Sequence, residues 1–242
     1  MRVAPLLAAV VLLVLTGVKP LGGIPYVGAA AFTAAAVLQL YLPLWRIDRL
    51  GLDHAYIGLH LDTWKRDARL VALLMLVTFP PYIVGHYLFM TQGHDWAVAL
   101  GADELARHIP RLRLNLHGPT DVAGWLGGAA WLLPLIATHT LGVALPEETF
   151  YRGYLQPRLE HRWPAARRWL GVPVGRAALL AAFLFALGHF LGEWNPLRFG
   201  PLFPALIFAW QRNATGSVIG AIGYHAACNL ASEILSTQYV SG

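Results

Sequence analysis

The chain has 242 residues, 57% of them hydrophobic and 13% charged, with a mean hydropathy of +0.51; a soluble domain carries about 45–50% apolar and about 25% charged residues, so the balance points to a membrane protein. A single cysteine, Cys228, excludes an intramolecular disulfide and a cysteine-rich metal site. The net charge of +5 comes with no basic stripe or nucleic-acid motif, so no nucleic acid is expected as a partner.

A helix that crosses the hydrocarbon needs about 20 mostly apolar residues. In chain order the predicted spans are 4–18, 23–45, 70–91, 122–145, 177–194, 199–211 and 218–235. The expected fold class is therefore all-α, a polytopic transmembrane bundle of about seven helices, roughly six to eight. Arg2 before the first apolar run is also compatible with a signal peptide, but Lys19-Pro20 makes a poor cleavage site and a retained helix is expected. The run 199–211 is short and holds Pro201 and Pro204, so it is tilted or extends toward Ser217.

Basic residues orient the bundle. Arg46, Arg49, Lys65, Arg66 and Arg69 lie between the second and third spans, and Arg158, Arg162, Arg167, Arg168 and Arg176 between the fourth and fifth. Both loops are expected in the cytoplasm, which puts the amino terminus inside and the loop 92–121 outside. The stretch Tyr151 to Trp169 carries Leu155, Leu159 and Trp163 at helical spacing with arginines on other faces. It reads as an interfacial amphipathic helix, or equally as an ordinary helix packed on the bundle. Two regions of one integral membrane domain are expected: residues 1–121, with transmembrane helices and loops, and residues 122–235, with the polar motifs.

Those motifs are Glu147-Glu148-x-x-x-Arg152, Phe185-x-x-x-His189 and His225-x-x-x-Asn229. Ionisable groups at membrane depth are costly and are read first as a functional site. Glu147 and Glu148 follow Pro146, which suits the first turn of a helix. Neighbours in a helix point about 100° apart, so the two carboxylates take different roles. Glu148 can pair with Arg152 four residues on, leaving Glu147 to face a cavity as a general base. The plainer reading makes both glutamates interfacial charges at a span end. Phe185 shares a face with His189 and can wall the site against water. His225 and Asn229 also share a face, where two N–H groups make an oxyanion hole or an interhelical hydrogen bond. His86 and His139 are assigned no role.

The order of the three motifs resembles the CPBP family of membrane proteases, which includes the type II CAAX prenyl endopeptidases and the bacteriocin-processing or immunity (Abi) proteins. The stretches PEETFYRGYLQPRL and FPALIFAWQRNATGSVIGAIGYHAACNL are similar to its first and closing signatures, and the resemblance covers residues 122–235. It implies a protease core in which Glu147 activates water with help from His189. His225 and Asn229 then stabilise the oxyanion, and Glu148 and Arg152 hold the first motif in place. It implies an endopeptidase of the glutamic type that cuts near the C-terminus of membrane-associated protein or peptide substrates, in contact with membrane lipid and without a cofactor. Zinc would have Glu147, His189 and His225 as its ligands, but the sequence lacks His-Glu-x-x-His. The alanine-, glycine- and proline-rich helices point to a bacterial inner membrane, where a myxosortase-like branch acting on C-terminal sorting tags is one possibility. The competing readings are a non-catalytic immunity factor and a proton-coupled transporter.

Overall fold

A computed structural model describes residues 3–115, 122–191 and 193–241. Arg2 and residues 116–121 of the loop expected outside lie beyond the described residues. Apolar runs with no water at hand must satisfy their own backbone groups, and the helix does so within one segment. Each of the seven predicted spans corresponds to helix. The first three are α1 (Val3–Val18), α2 (Val27–Arg49) and α3 (Trp64–Ala99). Among the described residues, Pro5–Gly23, Val27–Arg49 and Trp64–Ala99 are long and apolar enough to cross a membrane.

α3 exceeds its expected span of 70–91. Its 36 residues measure about 54 Å at 1.5 Å each. The helix continues into the predicted loop because Gly93 and Ala97 pack on Ala106 and Ile109, which come back against it after the short α4 (Asp103–Ala106). The strand β1 (Leu112–Leu114) follows α4.

The fourth span also departs from expectation. Helical backbone runs unbroken from Val122 to Arg162. It passes through α5 (Val122–Ala137), a π segment (Thr138–Ala144), α6 (Leu145–Glu148), a second π segment (Thr149–Leu155) and α7 (Gln156–Arg162). Pro146 stands inside this continuous helix without breaking it, directly after the first π segment, whose wider turns accommodate the backbone bond that its missing N–H cannot make. The π segments flank the two glutamates. Wider turns of this kind rotate the faces that follow them and often occur at functional sites.

The stretch Tyr151 to Trp169 is not one surface helix. Every residue from Thr149 to Leu155 is buried. Phe150, Tyr151, Tyr154, Leu155 and Leu159 belong to the main core. The chain then leaves the helix, and β2 (Arg168–Trp169) pairs antiparallel with β3 (Val172–Pro173). Arginine spacing alone hid this, because the arginines cluster after the buried aromatics.

Three helices complete the bundle: α8 (Arg176–Leu191), α9 (Leu202–Thr215) and α10 (Ile219–Ser236). α8 packs on α9 and α1, and α10 on α9 and α3. The buried face of α8 is small: Ala177, Ala178, Ala181, Ala182, Ala186 and Gly188 surround a single large group, Phe185. Small residues let helix backbones approach, which is how helices associate without a hydrophobic drive from water. The amino-terminal helices share this core, to which Leu7, Ala8, Val11 and Ile47 contribute. At the other end of the chain β4 (Tyr239–Ser241) pairs antiparallel with β1.

Gly153 marks the closest backbone approach. A Cβ there would overlap the side chain of Ile57 and lie 3.0 Å from its carbonyl oxygen. Ile57 is itself fully buried. Gly153→Ala is therefore expected to destabilise the protein by about 1–3 kcal/mol, as overpacking does. Thermal unfolding in detergent checks this, and an unchanged Tm would contradict the contact.

Candidate active site

The site is built outward from Glu148, which is 0% exposed. Its Oε1 accepts a hydrogen bond from Arg152 Nη1 at 2.9 Å and another from His225 Nδ1 at 2.8 Å. The i, i+4 pair expected from spacing is present, and the His225 bond to the same oxygen joins it to α10. Arg152, also 0% exposed, donates from Nη2 to the Ala205 carbonyl at 3.1 Å. Its guanidinium lies 4.5 Å from the Phe185 ring and 5.0 Å from the Phe208 ring. A buried charge of this kind needs partners, and here a carboxylate, a carbonyl and two aromatic faces supply them, while Nε has no hydrogen-bond partner among the described residues.

His225 is gripped in the same way. Phe208 stacks on its ring at 4.8 Å, and Phe185 meets it edge-on at 5.7 Å. A carboxylate can only accept, so Nδ1 carries the proton shared with Glu148. That leaves Nε2 facing Glu147, with Oε2 at 3.8 Å. Adjacent glutamates, splayed by the helix, thus bracket the two nitrogens of one imidazole. Glu147 Oε2 is buried and has no hydrogen-bond partner among the described residues. It is a free acceptor beside an imidazole edge.

His189 donates from Nδ1 to the Phe185 carbonyl at 3.0 Å, which leaves Nε2 as the available nitrogen. His189, His225 and Asn229 all line one cavity of about 690 Å³. Val77, Phe79, Phe203 and Ile207 make much of the remaining wall, which is largely apolar. Asn229 also borders a second, polar groove with His139 and Glu233. No described residue forms a hydrogen bond with the Asn229 side chain. Phe185 has more than the walling role expected of it, since it lies under Arg152, against His225 and 4.7 Å from His189.

The structure therefore brings Glu147, Glu148, Arg152, Phe185, His189, His225 and Asn229 to one locality. Among the described residues no three His, Cys, Asp or Glu side chains are arranged as a metal cage. Spacing did not reveal Phe208 and Arg212. Arg212 Nε donates to the Arg152 carbonyl at 3.2 Å and Nη2 to the Tyr56 carbonyl at 3.0 Å, and Nη1 bonds the Gly216 carbonyl. It clips three segments behind the motif. An arginine in an apolar run could have marked it as a tie.

Residues 129–231 match the family described as type II CAAX prenyl endopeptidase Rce1-like. The matched stretch contains all seven of these residues. No curated protein and no solved structure matches the chain.

Proposed function

We propose, from the match of residues 129–231 to the Rce1-like family of type II CAAX prenyl endopeptidases, that this chain is a glutamic-type endopeptidase that cuts near the C-terminus of its substrates. The three long apolar helices and the match to a peptidase family support a membrane protein that acts on membrane-associated proteins. The observation that carries the finer reading is Glu147. Its buried, unpartnered Oε2 lies 3.8 Å from an imidazole that opens on the cavity.

In the proposed reaction Glu147 takes a proton from water, and His189 Nε2 orients that water from its fixed tautomer. The hydroxide attacks the scissile carbonyl. Negative charge then develops on the carbonyl oxygen, which His225 Nε2–H and the Asn229 amide face. Because Nδ1 is committed to Glu148, a donating Nε2 requires the doubly protonated ring. Glu148 and Glu147 stand at its two nitrogens to balance that charge. The proton held by Glu147 finally passes to the leaving amine. No metal takes part in this scheme.

The apolar cavity wall favours substrates with an apolar flank beside the cleaved bond. We place the protein in a bacterial inner membrane with its amino terminus in the cytoplasm, on the basic loops and the composition. Its substrates there carry either a CAAX-type tail or, as in the myxosortase-like branch, a C-terminal sorting tag. The test is comparative proteomics of membrane-protein C-termini in wild-type and Glu147→Ala cells. A set of termini that is longer only in the variant identifies the substrates. Identical termini in both would refute the reading.

A further inference from the structure

The end of α1 delivers a lysine to the catalytic locality. Lys19 opens a 3-10 turn (Lys19–Gly23) just after α1, and its side chain is only 16% exposed. Its Nζ bonds the backbone carbonyl of His189 and lies 3.6 Å from Glu193 Oε1. A half-hidden ammonium at the end of an apolar helix is costly unless its contacts are used.

The place of contact is specific. His189 is in the last turn of α8, where carbonyls run out of helical partners. The amide that would bond the His189 carbonyl in a continuing helix is that of Glu193, and it bonds the Phe190 carbonyl instead. Lys19 therefore bonds a carbonyl on a proposed catalytic residue that the Glu193 amide does not reach, and a cation suits the negative end of a helix. The approach is prepared by packing. Leu7, Ala8 and Val11 bury α1 in the core, and Leu12 and Leu15 lie against Gly188, where an added Cβ would be 3.3 Å and 3.4 Å from them.

We propose that Lys19, from outside the matched segment, is a positioning residue of the active site: its ammonium fixes the His189 carbonyl, and with the Phe185 bond to Nδ1 it holds the imidazole in one pose. The backbone of His189 is pinned by Lys19 and its ring by Phe185. Loss of either frees the Nε2 edge to move within the cavity it lines. The part of this proposal that concerns turnover rests on the peptidase reading. The part that concerns the pose of His189 does not.

The test uses the full chain in nanodiscs with Lys19→Met and Lys19→Arg. Lys19→Met is expected to lower kcat about tenfold with KM within about twofold, since small displacements of a reacting group weaken the transition state more than substrate binding. Lys19→Arg, which keeps a cationic donor, should recover most of that loss. Without substrate, the 15N imidazole resonances of His189 should form one sharp set in the wild type and broaden or split in Lys19→Met. Wild-type turnover in a folded Lys19→Met variant would overturn the proposal. So would a lower Tm with His189 resonances unchanged, because that outcome describes a cap alone. If Lys19→Met does not fold, Lys19→Thr, which is polar but too short to reach the His189 carbonyl, is judged by the same two readouts. If the wild type cleaves nothing at all, the peptidase reading fails, and the resonance comparison still decides whether Lys19 holds His189.

Discussion

Glu147→Gln is expected to reduce peptide hydrolysis by roughly three orders of magnitude, within the 10²–10⁴ typical of a lost general base. The substitution keeps the size of the side chain and removes only its ability to take a proton. Glu147 Oε2 makes no hydrogen bond among the described residues, so the fold loses little. Expression level and Tm should stay close to wild type. That separates this carboxylate from its neighbour. Glu148→Gln would remove charge from between Arg152 and His225, two groups bonded to a single oxygen. The measurement is single-turnover cleavage of a reconstituted substrate by purified variants. Full activity of Glu147→Gln would sink the glutamic mechanism. A cellular phenotype that survives this variant would instead favour the non-catalytic immunity factor.

Arg152→Met is expected to cause the largest loss of stability, about 3–5 kcal/mol, the range for removing one partner of a buried ion pair. Neither Arg152 nor Glu148 is exposed, so solvent screening takes little from this figure. Three contacts fail together. Glu148 keeps a buried charge opposed only by His225, the Ala205 carbonyl loses its donor, and the space beside Phe185 and Phe208 loses its cation. In a chain of this length the deficit corresponds to a fall in Tm of more than about 6 °C. The double variant Glu148→Gln/Arg152→Met should be less damaged than the sum of the single ones, because the two act as a unit. Thermal unfolding of all three variants checks this. Additive losses would mean that the pair is not coupled.

The comparison of these two residues shows what could be read along the chain. The spacing of Glu148 and Arg152 announced their pairing, since residues four apart share a helix face whatever surrounds them. The same holds for Phe185 with His189 and for His225 with Asn229. Local periodicity did not show that Glu148 also holds His225, 77 positions away. It did not show which imidazole nitrogen faces Glu147. The sequence left open how Glu147, expected near one end of its span, could meet the histidines. The answer is an unbroken helix with two π segments. Such turns have no clear sequence signature, because they arise where neighbouring helices favour a shifted face over an ideal one.

For the stretch Tyr151 to Trp169, the reading as a helix packed on the bundle describes the part up to Arg162 and the surface reading does not, for a related reason. Its arginines were legible, but Phe150, Tyr151 and Tyr154 before them fill a core whose other wall is α8 and the amino-terminal helices. That core also brings Lys19 to His189, across 170 positions. By itself, then, the sequence determined the membrane class, the seven helical runs, the polar motifs and the partners within one turn of helix, because hydropathy and a 3.6-residue period act locally. Only the tertiary structure decided the pose of each imidazole, the shared grip on Glu148 and the reach of Lys19. Those depend on which small residues let which helices come close, and no local period records that.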